Sequence, residues 1–175
     1  PNGRIGLISF SYKAWQLPVY FDDVVVSTLI PPVADADGPY SGSEGSSVSF
    51  VGSGSSDPDG TIVTYQWSFG DGGTGTGPTP THVYVDNGAY TVTLTVTDND
   101  GLTDTCTTTA TISNVAPTVG AIAVSPSALV AVNTLISASA SFTDPGTADT
   151  HTASWDWGDG TTSGGTVIRI SCFFS

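Results

Sequence analysis

The sequence predicts an all-β protein: antiparallel β-sandwiches in tandem, preceded by a separate pair of strands. Three observations predict it. Ser and Thr make up about a quarter of the 175 residues and Gly numbers 21, which suits strands joined by glycine-rich turns and not helices. Apolar residues alternate with Thr over long stretches, the period-2 signature of a half-buried strand. One short motif occurs twice: Trp67-Ser68-Phe69-Gly70-Asp71-Gly72 returns as Trp155-Asp156-Trp157-Gly158-Asp159-Gly160. The two copies stand 88 residues apart, a sensible length for one small sandwich.

Taken in order, Arg4 to Phe10 and Val19 to Val26 read as two apolar strands. Thirty residues cannot bury a core alone, so residues 1–30 are expected to be an N-terminal strand pair that leans on something else. Pro31-Pro32 then opens a new segment. Val48 and Phe50 alternate with Ser47 and Ser49, and Tyr65, Trp67 and Phe69 share one face. Tyr90, Val92, Leu94 and Val96 form the longest stripe, with Thr91, Thr93, Thr95 and Thr97 opposite. Asp98-Asn99-Asp100-Gly101 turns the chain, and Cys106, Ala110 and Ile112 fall on one face of the next strand. Ala116-Pro117 marks a second entry. Short strands with turn clusters between them predict an antiparallel sandwich.

The charge balance excludes several functions. Three Lys+Arg against 16 Asp+Glu give a net charge of -13. A nucleic-acid backbone needs cations that this chain lacks, and an anionic membrane surface is disfavoured. Divalent cations are the more natural partners. No run of about 18 apolar residues offers a membrane-spanning helix. The absence of Met and the start at Pro1 suggest a processed chain or a fragment. Cys106 and Cys172 are too few for a disulfide framework; free thiols are the leading expectation, with a disulfide between them, which needs Cα atoms within about 7 Å, as the alternative. The composition suggests a secreted or cell-surface bacterial protein. None of the Asn residues begins an N-glycosylation sequon. Thr79-Pro80-Thr81 is the loop where O-glycosylation remains open.

Trp67 to Gly72, His82-Val83-Tyr84 and Gly88 to Asp98 follow one another in an order that resembles the PKD domain family. The resemblance covers residues 31–115 as one complete domain and 116–175 as an incomplete second one. It implies an immunoglobulin-like sandwich and an extracellular, non-catalytic module used as a spacer, an adhesion unit or an accessory to secreted hydrolases. The second copy lacks the His-x-Tyr motif and the long Tyr/Val/Leu/Val strand. It ends instead on Val167 to Phe174, expected to be one more strand, and is 25 residues shorter than the first. Residues 1–29 resemble the closing strands of a concanavalin-like lectin. Tyr12, Trp15 and Tyr20 would stack on sugars if that held; a role in a core is the plainer reading.

The acidic turns are the candidate ligand site. The resemblance places Asp57, Asp59 and Asp98 at one end of the sandwich, where some PKD domains bind calcium, and Asp37 could join them. Calcium takes six to eight oxygens, which flexible acidic turns supply. The alternative is that Asp-Pro-Asp-Gly and Asp-Asn-Asp-Gly are only turn formers. The second copy keeps Asp144 but carries Gly146 where the first has its second aspartate. Asp71 and Asp159 are expected to shape hairpin turns and not to catalyse. His82 is expected to pack or hydrogen-bond. No Gly-x-Ser-x-Gly or His-Glu-x-x-His motif is present, so no catalytic residue is expected.

Two functions follow. In the first, an incomplete sandwich with unpaired edges takes a strand from elsewhere. The link from Leu29 to Pro32 spans only about 14 Å, so residues 5–26 would more easily complete the 116–175 domain of a neighbour. That head-to-tail contact builds a homo-oligomer or fibre. In the second, the chain is a spacer or a carbohydrate- or matrix-binding accessory fragment of a larger secreted hydrolase or adhesin.

Overall fold

The computed structural model describes residues 28–127, 131 and 134–167. The strand pair expected within residues 1–30, with Tyr12, Trp15 and Tyr20, lies outside them, as does Cys172. Every regular element described is a strand. Among the described residues no helix is long and apolar enough to cross a membrane.

The central strand is β6 (Gly88–Asp98), an eleven-residue run whose alternation is cleanly sorted: Val92, Leu94 and Val96 are fully buried. Asp98 to Gly101 then reverses the chain into β7 (Thr103–Ser113), antiparallel to β6 over ten residue pairs. The outward row of this pair is a threonine ladder: Thr91 faces Thr109, Thr93 faces Thr107, Thr95 faces Thr105 and Thr97 faces Thr103. β-Branched pairs of this kind fit a pleated, half-exposed surface. On the inward row Tyr90 faces Ala110 and Leu94 faces Cys106. Ala110 and Ile112 are buried, and Cys106 is a half-buried free thiol packed against the core.

On the other side of β6 lies β3 (Ile62–Ser68), followed through a hairpin by β4 (Thr74–Thr76). β1 (Tyr40–Ser43) completes this five-stranded sheet, in the order β1-β7-β6-β3-β4. β1 runs parallel to β7, pairing Tyr40 with Ala110 through Ser43 with Ser113, so the sheet is not antiparallel throughout. The alternation in the sequence defines which face is buried; it carries no information on the direction of a four-residue edge strand. β2 (Ser47–Ser49) and β5 (Thr81–Val83) pair antiparallel and form the opposing layer. The result is the immunoglobulin-like sandwich expected.

Between the layers sits an aromatic cluster. Phe50 lies 4.9 Å from Phe69, 5.8 Å from Trp67 and 4.6 Å from Tyr40, ring centre to ring centre. Each buried polar tip finds an acceptor, as burial demands: Trp67 Nε1 donates to the Gly77 carbonyl (3.0 Å) and the Tyr84 hydroxyl to the Phe69 carbonyl (3.0 Å).

Beyond residue 116 come β8 (Thr118–Ser125), antiparallel to β9 (Ser137–Thr143), and β10 (Ala153–Asp156), antiparallel to β11 (Thr162–Gly165). The repeated motif makes the same turn in both places. Phe69 N bonds Gly73 O as Trp157 N bonds Thr161 O. Asp71 and Asp159 each accept from the backbone amide two residues on, at 2.8 Å. Gly70 and Gly72 have φ of +87° and +94°, Gly158 and Gly160 +76° and +86°, values that L side chains rarely adopt. Burial differs sharply, however. Phe69 is wholly buried whereas its counterpart Trp157 is 45% exposed, and Val119 and Ile122 of β8 are more than 60% exposed.

Burial, with the charges of Asp71 and Tyr90 adding, pushes the Tyr84 phenol up to about 12. An unfolded tyrosine ionises near 10. Its stabilising effect is therefore complete below about pH 10 and fades as the pH rises towards 12. Tyr84→Phe should lower stability at pH 7 by about 1 kcal/mol by leaving the Phe69 carbonyl unpaired. In urea melts between pH 8 and 12 the variant should show a shallower alkaline decline than the parent.

Candidate functional site

The expected acidic turns meet at one end of the sandwich, where β6 ends and β3 begins. The backbone bridge between Val33 and Ser56 leads into Asp57-Pro58-Asp59-Gly60, and the β6–β7 turn brings Asp98-Asn99 alongside. Asn99 ties the two turns together: its side chain accepts from Thr61 N (2.6 Å) and its amide donates to Thr61 O (3.0 Å). Asp98 Oδ1 accepts from Asp100 N and Leu102 N at 2.9 and 2.8 Å. Asp57 Oδ1 accepts from Asp59 N (3.4 Å), and Asp59 Oδ2 from Ile30 N (3.1 Å). These are the bonds of turn-forming aspartates. Two oxygens are left over. Asp57 Oδ2 and Asp98 Oδ2 are both buried with no hydrogen-bond partner. Burial raises the Asp57 carboxyl, with the neighbouring Asp59 and Asp98 carboxylates adding to it and the amide of Asp59 opposing.

Asp37 stands elsewhere. Its amide donates to Asp35 Oδ1 and it adopts φ +50°. Burial raises the phenol of Tyr40, and the charges of Asp37 and Asp35 add to that. The neighbouring Gly38 lies against Thr108, while Ala34 is held by Asp104. Asp37 is thus some way along β7 from the end that carries Asp98.

Asp71 and His82 form a pair at the β3–β4 hairpin. His82 Nε2 lies 2.7 Å from Asp71 Oδ2, and its ring stacks on Phe69 (4.3 Å, 10°) and meets Tyr84 edge-on. The histidine fastens the hairpin to β5 and closes the aromatic cluster. For Asp71, burial works upward, but the hydrogen bonds from His82 and Gly73 outweigh it and hold the carboxyl below its usual range.

A further acidic group was not expected from the sequence. Carboxylate oxygens of Glu44, Asp144 and Asp149 lie within 4.8 Å of one another. Glu44 sits in the β1–β2 turn and the two aspartates in the Asp144-Pro145-Gly146 turn and just after it. Nothing local in the sequence relates residue 44 to residue 149; only the solitary Glu in an otherwise Asp-based chain singles Glu44 out.

The Asp71 carboxylate is depressed in the folded chain, so the stability it adds is present above pH 4 and lost as the pH falls below. Asp71→Asn should destabilise by about 1–2 kcal/mol at pH 7. Denaturant melts of parent and variant should converge between about pH 4 and pH 2.

Comparison with known proteins matches the PKD domain family model to residues 30–113. The PKD1 domain of the Vibrio cholerae metalloprotease PrtV is 46% identical, covering 47% of this chain and 98% of that one, with a TM-score of 0.42. The PKD1 domain of Vibrio anguillarum Epp is 39% identical, covering 48% and 95%, with a TM-score of 0.43. A β-sandwich-superfamily carbohydrate-binding-module structure is 30% identical, with a TM-score of 0.48. It matches 56% of this chain, which spans about half, 47%, of that structure's length. The family-model match over residues 30–113, with sequence identities of 46% and 39% over nearly the whole of two Vibrio PKD domains, shows that the chain belongs to the PKD domain family.

Proposed function

We propose that the chain is a non-catalytic, extracellular structural module of a larger secreted protein, in which the PKD domain and the segment after it act as a spacer or accessory. The observation that carries this reading is the linkage between the two. Asp86, just before β6, accepts from Thr147 Oγ1 (2.8 Å) and from Ala148 N, and Thr147 N donates to Val85 O (3.2 Å). A spacer needs such fixed junctions, because a free linker transmits no orientation. The aromatic side chains of the PKD domain are spent on its core. Among the described residues, Trp155 and Trp157, 6.3 Å apart and near-parallel, are rings outside that core that a polysaccharide or matrix partner would meet.

Calcium at Asp57, Asp59 and Asp98 belongs to the same reading. The two unpartnered buried oxygens, Asp57 Oδ2 and Asp98 Oδ2, support it, since a cation beside either would offset a carboxylate that lacks a hydrogen bond. At a hundredfold excess over Kd, calcium would add about 2.7 kcal/mol. Calcium should raise the melting midpoint by several degrees relative to chelator, and Asp57→Ala should remove that site's part of the rise. An Asp57→Ala chain that gains as much from calcium as the parent would rule this site out.

One observation favours a second reading, self-association by strand complementation. Val119, Ile122 and Val124 of β8 are exposed, beside an open groove that Phe142, Trp155 and Val167 also line. Exposed apolar surface of this kind favours a partner, and residues 5–26 of a neighbouring copy would supply apolar strands. Sizing and negative-stain microscopy should then show oligomers or fibres that vanish when residues 1–29 are deleted. A monomer at high concentration, unchanged by the deletion, leaves the spacer reading alone.

A further inference from the structure

We propose that Glu44, Asp144 and Asp149 bind a calcium ion at the junction between the PKD domain and the segment that follows it. The site is distinct from the Asp57 turn. Glu44 N and Gly45 N bond Ser113 O and Tyr84 O, at the end of the sandwich where β6 begins, whereas Asp98 is at the end where β6 finishes.

Glu44 carries the inference. It is only 1% exposed. Its Oε1 accepts from Val115 N (2.8 Å), and its Oε2 is buried with no hydrogen-bond partner. An ionised carboxylate oxygen so placed is unfavourable unless something positive meets it. Two further carboxylates stand beside it, which makes the shortage of positive charge worse. Burial, then the charges of Glu44 and Asp144, push the Asp149 carboxyl up, against a smaller opposing effect of His151. Among the described residues no Lys or Arg meets these carboxylates. His151 is engaged with Asp144 Oδ2.

The donor set selects the ion. All three are hard oxygen ligands, drawn from different turns and not from a regular octahedral cage, which suits calcium better than magnesium. Oxygens on opposite sides of an ion with bonds of about 2.4 Å lie about 4.8 Å apart, and the three carboxylates fall within that separation. Asp149, only partly buried, leaves a side open to water for the remaining coordination. Gly45 packs so closely that a Cβ there would come within 2.7 Å of Pro145, so the two halves of the site are already in contact. With Glu44 from the PKD domain and both aspartates from beyond it, the ion joins the two and stiffens the junction.

The experiment uses the full chain carrying Asp57→Ala and Asp98→Asn, so that the other acidic turn does not contribute. Calcium titrated calorimetrically should bind with one equivalent and raise the melting midpoint. Asp149→Asn, a change on a half-exposed turn, should abolish that equivalent and the midpoint rise, and Glu44→Gln should do the same where it folds. If the background variant is itself unfolded, Asp149→Asn in the parent should lose one equivalent. Retention of the equivalent in Asp149→Asn would overturn the proposal. So would a background chain that binds no calcium at millimolar concentration and is stabilised by Asp149→Asn without it, which is the signature of a shared proton.

Discussion

The fold depends on the alternation along β6. Val92, Leu94 and Val96 lie fully buried against the Phe50, Trp67, Phe69 and Tyr84 cluster, while the threonines between them look outward. Each buried aliphatic side chain is worth roughly 1.5–3 kcal/mol, and a slip of one residue would exchange that row for threonine. The register is therefore fixed with β7 along the strand and with β3 from Thr64 to Ser68, before an irregularity between Ile62 and Thr64. Fixing β6 also fixes its ends. Asp98 at one end and Asp86 near the other are delivered to opposite poles, and the acidic groups gather there.

Charge is the second constraint. Sixteen acidic residues stand against three Lys and Arg, so cationic partners are few. The carboxylates are instead absorbed mainly by backbone amides. Asp104 holds Ala34 N, Asp98 holds Asp100 N and Leu102 N, Asp156 holds Gly158 N and Asp159 holds Thr161 N. Two histidines serve Asp71 and Asp144. A turn supplies one or two amides, and a carboxylate has two oxygens with several lone pairs. The surplus collects where burial removes water: on Asp57 and Asp98 at one pole and on Glu44 at the other.

The two copies of the Trp-x-aromatic-Gly-Asp-Gly motif separate local from non-local causes. The turn is a matter of two glycines and one aspartate over six residues, and it is reproduced down to the Asp-to-amide bond. Burial depends on what lies across the sandwich. Phe69 has Phe50, His82 and Tyr84 around it, whereas Trp157, just past the end of β10, has Trp155 two residues back and remains half exposed.

By itself, the sequence determined the class of fold, the buried faces of β2, β3, β6 and β7, and the hairpin role of Asp71 and Asp159. Each of these follows from a period of two or from a turn with its own local hydrogen bonds. It also made His82 a packing residue, and the structure supplies the partners, Phe69 and Asp71. The parallel direction of β1, the separation of Asp37 from the other aspartates and the convergence of Glu44 with Asp144 and Asp149 were decided only in three dimensions. All three depend on which distant segments become neighbours. Periodicity records which way a side chain faces, but not what stands opposite it, and a residue 100 positions away leaves no local trace.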